Sequence, residues 1–169
     1  MSWSDVGSEK RCCDDSRATE TRAVRERLLA EHAGSIDRVW EAADGVVTAW
    51  PDTETTDRAA VVDPLERRLR ADRTLDRLLG LLETATTALG TRLPATPVAA
   101  PPYLVVTATG PILRATLSDR GDRLVVELRA FVVDRTGGEP TYRRVEPADE
   151  SPRKTTRTGR RGIVRVRLR

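Results

Sequence analysis

The residues best suited to catalysis in this chain are one histidine, His32, and two adjacent cysteines, Cys12 and Cys13. A nucleophilic enzyme needs a base beside its nucleophile, and histidine is the usual base. His32 falls on an apolar line between Leu28 and Ile36, a spacing typical of a histidine held by helix packing. The cysteines lie in a polar terminal stretch that offers no fixed neighbour to lower a thiol pKa. We therefore expect no catalytic residue among the three.

Metal and cofactor motifs are not recognisable in the sequence. The cysteines and His32 have neither the ligand spacing nor the fourth ligand of a zinc site. The glycines form neither a GxGxxG motif after a strand nor a GxxxxGK[ST] motif, the two common phosphate-cradling patterns. The triplet Arg120-Gly121-Asp122 matches the adhesive RGD sequence, but we interpret it as an ordinary turn. The sequence thus predicts no metal and no cofactor, and favours a protein that is not an enzyme.

The strongest charged feature is a basic segment near the C-terminus. Residues 151–169 hold eight of the 29 basic residues and none of the 26 acidic ones, which leaves the rest of the chain with 21 basic and 26 acidic residues. Positive charge of this density predicts contact with phosphates, although aromatic interleaving for base stacking and helix-turn-helix or finger spacing are lacking. Nucleic acid is therefore one candidate partner, with contacts predicted at Arg153, Lys154, Arg157, Arg160 and Arg161.

The first half of the chain, residues 16–90, predicts helices. Apolar residues recur every three or four positions from Val24 to Trp50, and Asp15 or Ser16 can cap the first helix. The pair Asp63-Pro64 predicts that a helix restarts or kinks there. Residues 93–102 contain four prolines, which exclude a helix and favour an extended connector.

The second half, residues 103–146, predicts an antiparallel sheet, with strands at 103–109, 112–117 and 124–133 and a weaker one at 141–145. A corner is expected at Gly110-Pro111. In the third strand the alternation predicts one face turned to the core and one turned to solvent. The core face contains Leu124, Val126, Leu128, Ala130 and Val132, and the opposite face contains Val125, Glu127, Arg129, Phe131 and Val133.

These elements predict an α+β fold in which three to four helices pack on one face of a three- to four-stranded antiparallel meander. We expect a single domain over residues 16–146, a disordered N-terminal tail over 1–15 and a basic tail over 147–169. The last residues, GIVRVRLR, alternate apolar and arginine side chains, which leaves open an additional edge strand with one charged face. A pocket at the helix-to-sheet seam is the candidate site for a small enzyme or an anion-binding protein, and its predicted residues are Tyr103, Thr107, Thr109 and Arg114.

The phrases PPYLVVTATGPILRATL and DRLVVELRAFVV, together with arginine in place of lysine, resemble uncharacterised proteins of halophilic archaea over about residues 20–146. The resemblance implies a domain of unknown function and transfers no reaction and no site residue. The basic tail departs from the strongly acidic surface that is usual in halophiles.

The function predicted first is a non-catalytic interaction or accessory protein with an unidentified protein partner. A nucleic-acid-associated protein that uses the basic tail is the second prediction, and an enzyme or anion-binding protein with the seam pocket is the third. We expect no membrane span, because no apolar run reaches about 18 residues, and we expect a cytoplasmic location because no leader pattern is visible. The sequence leaves the oligomeric state open.

Overall fold

A computed structural model describes the backbone of residues 6–146 and 163–169, and the side chains of residues 15–146 and 163–169. The helices are α1 (Val6–Glu31), α2 (Ala33–Val47), α3 (Ala59–Ala71) and α4 (Thr74–Ala88). The backbone of α1 begins N-terminal to the predicted cap, so residues 6–15, which we expected in a tail, continue the helix. Once a helix is nucleated, each added residue gains a hydrogen bond, so a helix extends readily into a polar stretch.

Helix α3 passes through Pro64 and does not restart there, so of the two predicted alternatives, a restart or a kink, the restart is wrong. A proline inside a helix leaves the carbonyl four residues earlier without its usual N–H donor. Here the indole Nε1 of Trp50 donates to that carbonyl, the oxygen of Ala60, at 3.2 Å. The side chain of a neighbouring segment thus satisfies the acceptor that the proline frees.

The strands are β1 (Glu54–Thr55), β2 (Leu104–Thr107), β3 (Gly110–Thr116), β4 (Arg123–Leu128), β5 (Phe131–Asp134), β6 (Thr141–Arg144) and β7 (Val164–Leu168). They form two antiparallel sheets. The large sheet has four strands in the order β2-β3-β4-β7, and the small sheet has three in the order β1-β6-β5. The predicted α+β class with antiparallel pairing is confirmed, and the alternative of a C-terminal edge strand is realised by β7.

The predicted third strand is divided between the two sheets, because the backbone leaves the β4 ladder at Arg129. The carbonyl of Thr109 accepts hydrogen bonds from the N–H groups of both Ala130 (2.8 Å) and Phe131 (3.1 Å). This irregular pairing reverses the alternation, so Phe131 is fully buried and Val132 is not. The predicted faces are therefore correct as far as Ala130 and wrong after it.

Gly110 forms the predicted corner. Its φ is +133°, a value that side chains rarely adopt, and a Cβ there would collide with the carbonyl oxygen of Leu128. The close approach of β3 to the end of β4 therefore requires glycine. The special backbone at this corner serves the junction between the two sheets.

The helices cover one face of the large sheet, with α1 against β7, α4 against β3 and α3 against β2. The strand residues on this inner face are buried apolar side chains: Leu104, Leu113, Ala115, Leu124, Val126, Leu128 and Val164. Among the described residues, no helix combines the length and the apolar character that crossing a membrane requires.

One arginine, Arg144, connects the small sheet to the helices. Its guanidinium lies 3.4 Å from the centroid of the Trp40 ring. Its Nε donates to Asp44 Oδ1 at 2.9 Å and its Nη1 donates to the Ala130 carbonyl at 2.8 Å. Each of these contacts is internal, so the charge of Arg144 is used in holding the fold together.

Candidate functional site

The outer face of the large sheet, opposite the helices, collects arginines from three strands. In one row across the sheet Arg114 stands beside Val125, and Val125 beside Arg167. The row on one side of it contains Arg123. The row on the other side contains Glu127, which is paired with Arg165. We call this surface the arginine face; its arginines are Arg114, Arg123, Arg165, Arg167 and Arg169, and its acidic residue is Glu127.

Two of these arginines stand directly opposite each other on neighbouring strands. The N–H of Arg123 donates to the carbonyl of Arg169 at 2.6 Å, and the N–H of Arg169 donates to that of Arg123 at 3.0 Å. Like charges in such a pair destabilise a sheet. Within the described residues neither guanidinium forms an ion pair with a carboxylate, so the repulsion between them is not relieved there.

Glu127 lies on the middle strand of the arginine face, one row beyond Val125. Its Oε1 is 3.3 Å from Nη1 of Arg167, and its side chain is only 18% exposed. In register it faces Arg165 on the same neighbouring strand. In the part of the chain that the structure describes, this face therefore carries five guanidinium groups and one acidic side chain, which leaves it strongly positive.

The arginine face is concave. A depression of about 530 Å³ is lined by Arg114, Arg123 and Arg169, by Glu127, and by the apolar side chains of Ile112 and Val125. Val125 is only 8% exposed although it points away from the helices. The arginines on either side of it can cover it with their aliphatic stems and keep their charged ends in water.

The four residues of the predicted seam pocket are not brought together. Arg114 lines the depression, and its N–H donates to the carbonyl of Tyr103 at 2.8 Å, so these two are neighbours. The hydroxyls of Thr107 and Thr109 lie 3.0 Å apart, and Thr107 Oγ1 also donates to the Gly110 carbonyl at 2.8 Å. These two threonines stabilise the turn between β2 and β3, at the other end of the strand from Tyr103. A binding role for the four residues stays a prediction.

The predicted contacts Arg153, Lys154, Arg157, Arg160 and Arg161 lie outside the described residues, as do the side chains of Cys12 and Cys13. Of the remaining three arginines of the basic segment, Arg165 and Arg167 are in β7 and Arg169 directly follows it, and all three are on the arginine face. In the sequence, the alternation in GIVRVRLR was the signal for this placement. Nothing local indicated that β7 would pair with β4 and thereby bring these arginines beside Arg123 and Arg114.

His32 is half-buried between α1 and α4, as the apolar spacing predicted. Its Nε2 is 2.8 Å from Thr84 Oγ1, and its ring faces Gly80. Burial lowers the pKa of His32, and the charges of Glu31 and Glu83 oppose that shift in part. In the ranges 15–146 and 163–169, no cluster of three metal-ligating side chains is found.

The Arg120-Gly121-Asp122 triplet lies at the tip of the β3–β4 hairpin and is held by α1. Arg120 donates from both terminal nitrogens to the carboxylate of Glu20, at 3.1 and 3.0 Å. Asp122 accepts from Arg17 at 3.0 Å. Both charged side chains of the triplet therefore have internal partners, in agreement with its interpretation as a turn.

Two smaller depressions lie elsewhere. One of about 270 Å³ lies between the end of α4 and the proline-rich connector and is lined mainly by threonines and Arg92. Another, of about 310 Å³, lies at the end of the small sheet and contains Glu54, Asp134 and Arg143. Hydrogen bonds from Thr136 lower the pKa of Asp134. Neither depression brings together an excess of one charge comparable to the arginine face.

A family model described as a domain of unknown function (DUF7988) matches residues 22–157. Comparison of the chain with curated proteins and with solved structures gives no match.

Proposed function

Because the chain belongs to this domain family of unknown function, we propose its function from its surface: the protein binds nucleic acid, without catalysis, through the arginine face. The observation that carries the proposal is the pair Arg123 and Arg169, opposed on neighbouring strands without a carboxylate partner among the described residues. Such a pair costs stability, and a polyanion that neutralises it returns that energy on binding.

The chemistry of the arginines favours phosphate as the group that is bound. A guanidinium presents its N–H donors in a planar fork that matches two phosphate oxygens, and it keeps its charge at every physiological pH. The arginine face offers guanidinium groups without lysine, and among the described residues Glu127 is the one acidic side chain that lines its depression. Groups of this kind bind and position an anion. They do not exchange protons near neutral pH, which is why the proposal is non-catalytic.

The basic segment extends the same proposal. Arg153, Lys154, Arg157, Arg160 and Arg161 directly precede β7 in the sequence. We include them as further phosphate contacts and place the protein in the cytoplasm, where nucleic acid is available. Removing residues 151–169 is a poor test of this role because it also removes β7 from the large sheet. Substitution of these five residues by glutamine in the full chain tests the segment without that loss.

A halophilic host is also part of the proposal, on the resemblance of the sequence to proteins of halophilic archaea. At molar salt the Debye length falls to about 3 Å, so only contacts of hydrogen-bond length keep their strength. Bidentate guanidinium–phosphate contacts are of that length. Binding should therefore be measured from low salt up to molar potassium chloride.

The experiment is a fluorescence anisotropy titration of labelled single-stranded and duplex oligonucleotides with the full chain. The test variant is Arg114→Gln with Arg123→Gln, and the matched control is Arg67→Gln with Arg77→Gln, which removes equal charge from exposed positions on α3 and α4. We expect the test variant to bind more weakly, with a salt slope smaller by about 1.4 for single strands or about 1.8 for duplex. The control should bind like the parent protein.

Three results would overturn the proposal. The first is no binding to either oligonucleotide at low salt. The second is an equal loss of affinity in the test and control variants, which would indicate a diffuse charge effect. The third is equal competition by polyglutamate, which would indicate an acidic protein partner in place of nucleic acid.

A further inference from the structure

Strand β7 carries a regular series of arginines along the open edge of the large sheet. Arg165, Arg167 and Arg169 alternate with Val166 and Leu168, and the two apolar residues pack towards the core. In the large sheet β4 is the neighbour of β7, and the other edge of β7 has no strand beside it within the described residues. The three arginine side chains therefore project from the same face of an edge strand.

The spacing of these arginines is set by the backbone. Residues two apart on a strand are about 6.6–6.8 Å apart along its axis. This repeat is close to the distance between successive phosphates of an extended single strand of nucleic acid. The phosphates of a duplex follow a curved path around the helix. A straight row of arginines can therefore contact only a few phosphates of a duplex.

From this geometry we propose that the arginine face binds single-stranded nucleic acid, extended along β7 with one phosphate at each of Arg165, Arg167 and Arg169. The inference rests on the proposed function and names its substrate class. Ile112 and Val125 lie beside this path, on the outer face of β3 and β4, where they offer apolar contact to bases. Aromatic stacking platforms are lacking among the side chains of this depression, so binding has little dependence on base sequence.

Glu127 limits the strength of this binding. It forms an ion pair with Arg167, the central arginine of the series, at 3.3 Å, and stands opposite Arg165 in register. A phosphate at Arg167 must compete with this carboxylate for the same guanidinium group. Loss of the carboxylate therefore favours the bound state, which is the opposite of what a purely structural role predicts.

The test uses the full chain, a labelled oligothymidylate and a duplex of equal length, titrated by anisotropy over a range of salt. The single variants are Arg165→Gln, Arg167→Gln and Arg169→Gln, with Arg67→Gln on α3 as the matched control and with thermal melting to verify that each variant folds. We expect tighter binding of the single strand than of the duplex. Each β7 variant should reduce the salt slope by about 0.7 for the single strand, and the corresponding Arg→Lys variants should keep most of it.

Glu127→Gln supplies a second measurement with the opposite sign. An ion pair of this exposure contributes little, so its removal should tighten single-strand binding up to about fivefold. Weaker binding by Glu127→Gln in a folded protein would contradict the inference.

The outcomes separate the inference from the proposed function. If duplex binds as tightly as single strand, or if the β7 variants behave like Arg67→Gln while Arg114→Gln with Arg123→Gln still weakens binding, the single-strand inference is wrong and the proposed function stands. If neither oligonucleotide binds, both are wrong.

Discussion

Leu113 and Arg114 are adjacent in β3 and face opposite sides of the large sheet. Leu113 is fully buried beneath the helices, whereas Arg114 lies exposed at the edge of an open depression. On the inner face every strand residue contributes to a close-packed core, and packing alone explains its type. On the outer face, Arg123 opposite Arg169 opposes folding. The difference shows where to look for function, because residues that cost stability without a structural return need another explanation.

The largest expected effect on stability comes from an alanine substitution on the inner face of the large sheet, compared with one on the outer face. Leu113→Ala should lower the free energy of unfolding by about 2–5 kcal/mol, because it removes buried contacts and leaves a cavity. Arg114→Ala, at the next position, should change it by no more than about 0.5 kcal/mol. Urea denaturation of the two variants measures both. Equal losses would show that the outer face is also structural.

Gly110→Ala tests the junction from which both faces extend. The new Cβ would collide with the Leu128 carbonyl at a positive φ, so we expect a loss of about 3 kcal/mol from overpacking and backbone strain. Gly121→Ala is the matched control, since its φ is +66° and its surroundings are open; it should lose about 1 kcal/mol. The comparison of the two midpoints in urea isolates the collision. A Gly110→Ala midpoint no lower than that of Gly121→Ala would refute the close approach.

Arg144 stabilises the fold, and its substitution therefore contrasts with substitutions on the arginine face. Arg144→Gln should lower the free energy of unfolding by about 1–3 kcal/mol, because the Ala130 carbonyl loses a charged donor and the Trp40 ring loses its cation. Arg143→Gln, the exposed neighbour, should change little. Thermal melting checks the pair, and oligonucleotide binding should be the same for both. A binding loss specific to Arg144→Gln in a folded protein would count against the separation.

Arg123→Thr should change stability and binding in opposite directions. Removing one of the two opposed charges should raise the free energy of unfolding by about 0.2–1 kcal/mol, and threonine suits a strand. The same change should weaken oligonucleotide binding. Denaturation and anisotropy on one preparation measure both quantities. Loss of stability and unchanged binding would together refute the contrast between the two faces.

The smallest effect is expected in the helical layer that covers the inner face. Because burial lowers the pKa of His32, the folded protein disfavours its charged form. The unfolded chain binds this proton from about pH 6.5 downwards, so the contribution of His32 is complete above that pH and is lost as the pH falls towards the lower folded-state pKa. The difference in stability between the parent protein and His32→Gln should change across this window. A difference that is constant with pH would exclude the titration.

The sequence predicted most of the elements, because local patterns determine them. The apolar spacing of the helices, the exclusion of a helix from the proline-rich connector and the alternation of β4 correspond to what the structure contains. The connector is not extended throughout, because the N–H groups of Tyr103 and Leu104 both donate to the carbonyl of Ala100 in a turn. The prediction fails after Ala130, where hydrogen bonds to the distant Thr109 reverse the alternation. The predicted alternative of a helix restart at Pro64 is also wrong, and there Trp50 replaces the missing donor from outside the helix. Both errors occur where a partner that is remote in sequence changes a local rule.

The same distinction applies to the site. The sequence alone determined that Arg165, Arg167 and Arg169 would share one side if their segment formed a strand, an alternative that it left open, since side chains alternate along any strand. Only the tertiary structure decided that this strand would pair with β4, bring those arginines beside Arg123 and Arg114, and leave their common face uncovered by the helices. Strand neighbours and the covering of a face depend on long-range packing of the whole core, which no local pattern encodes.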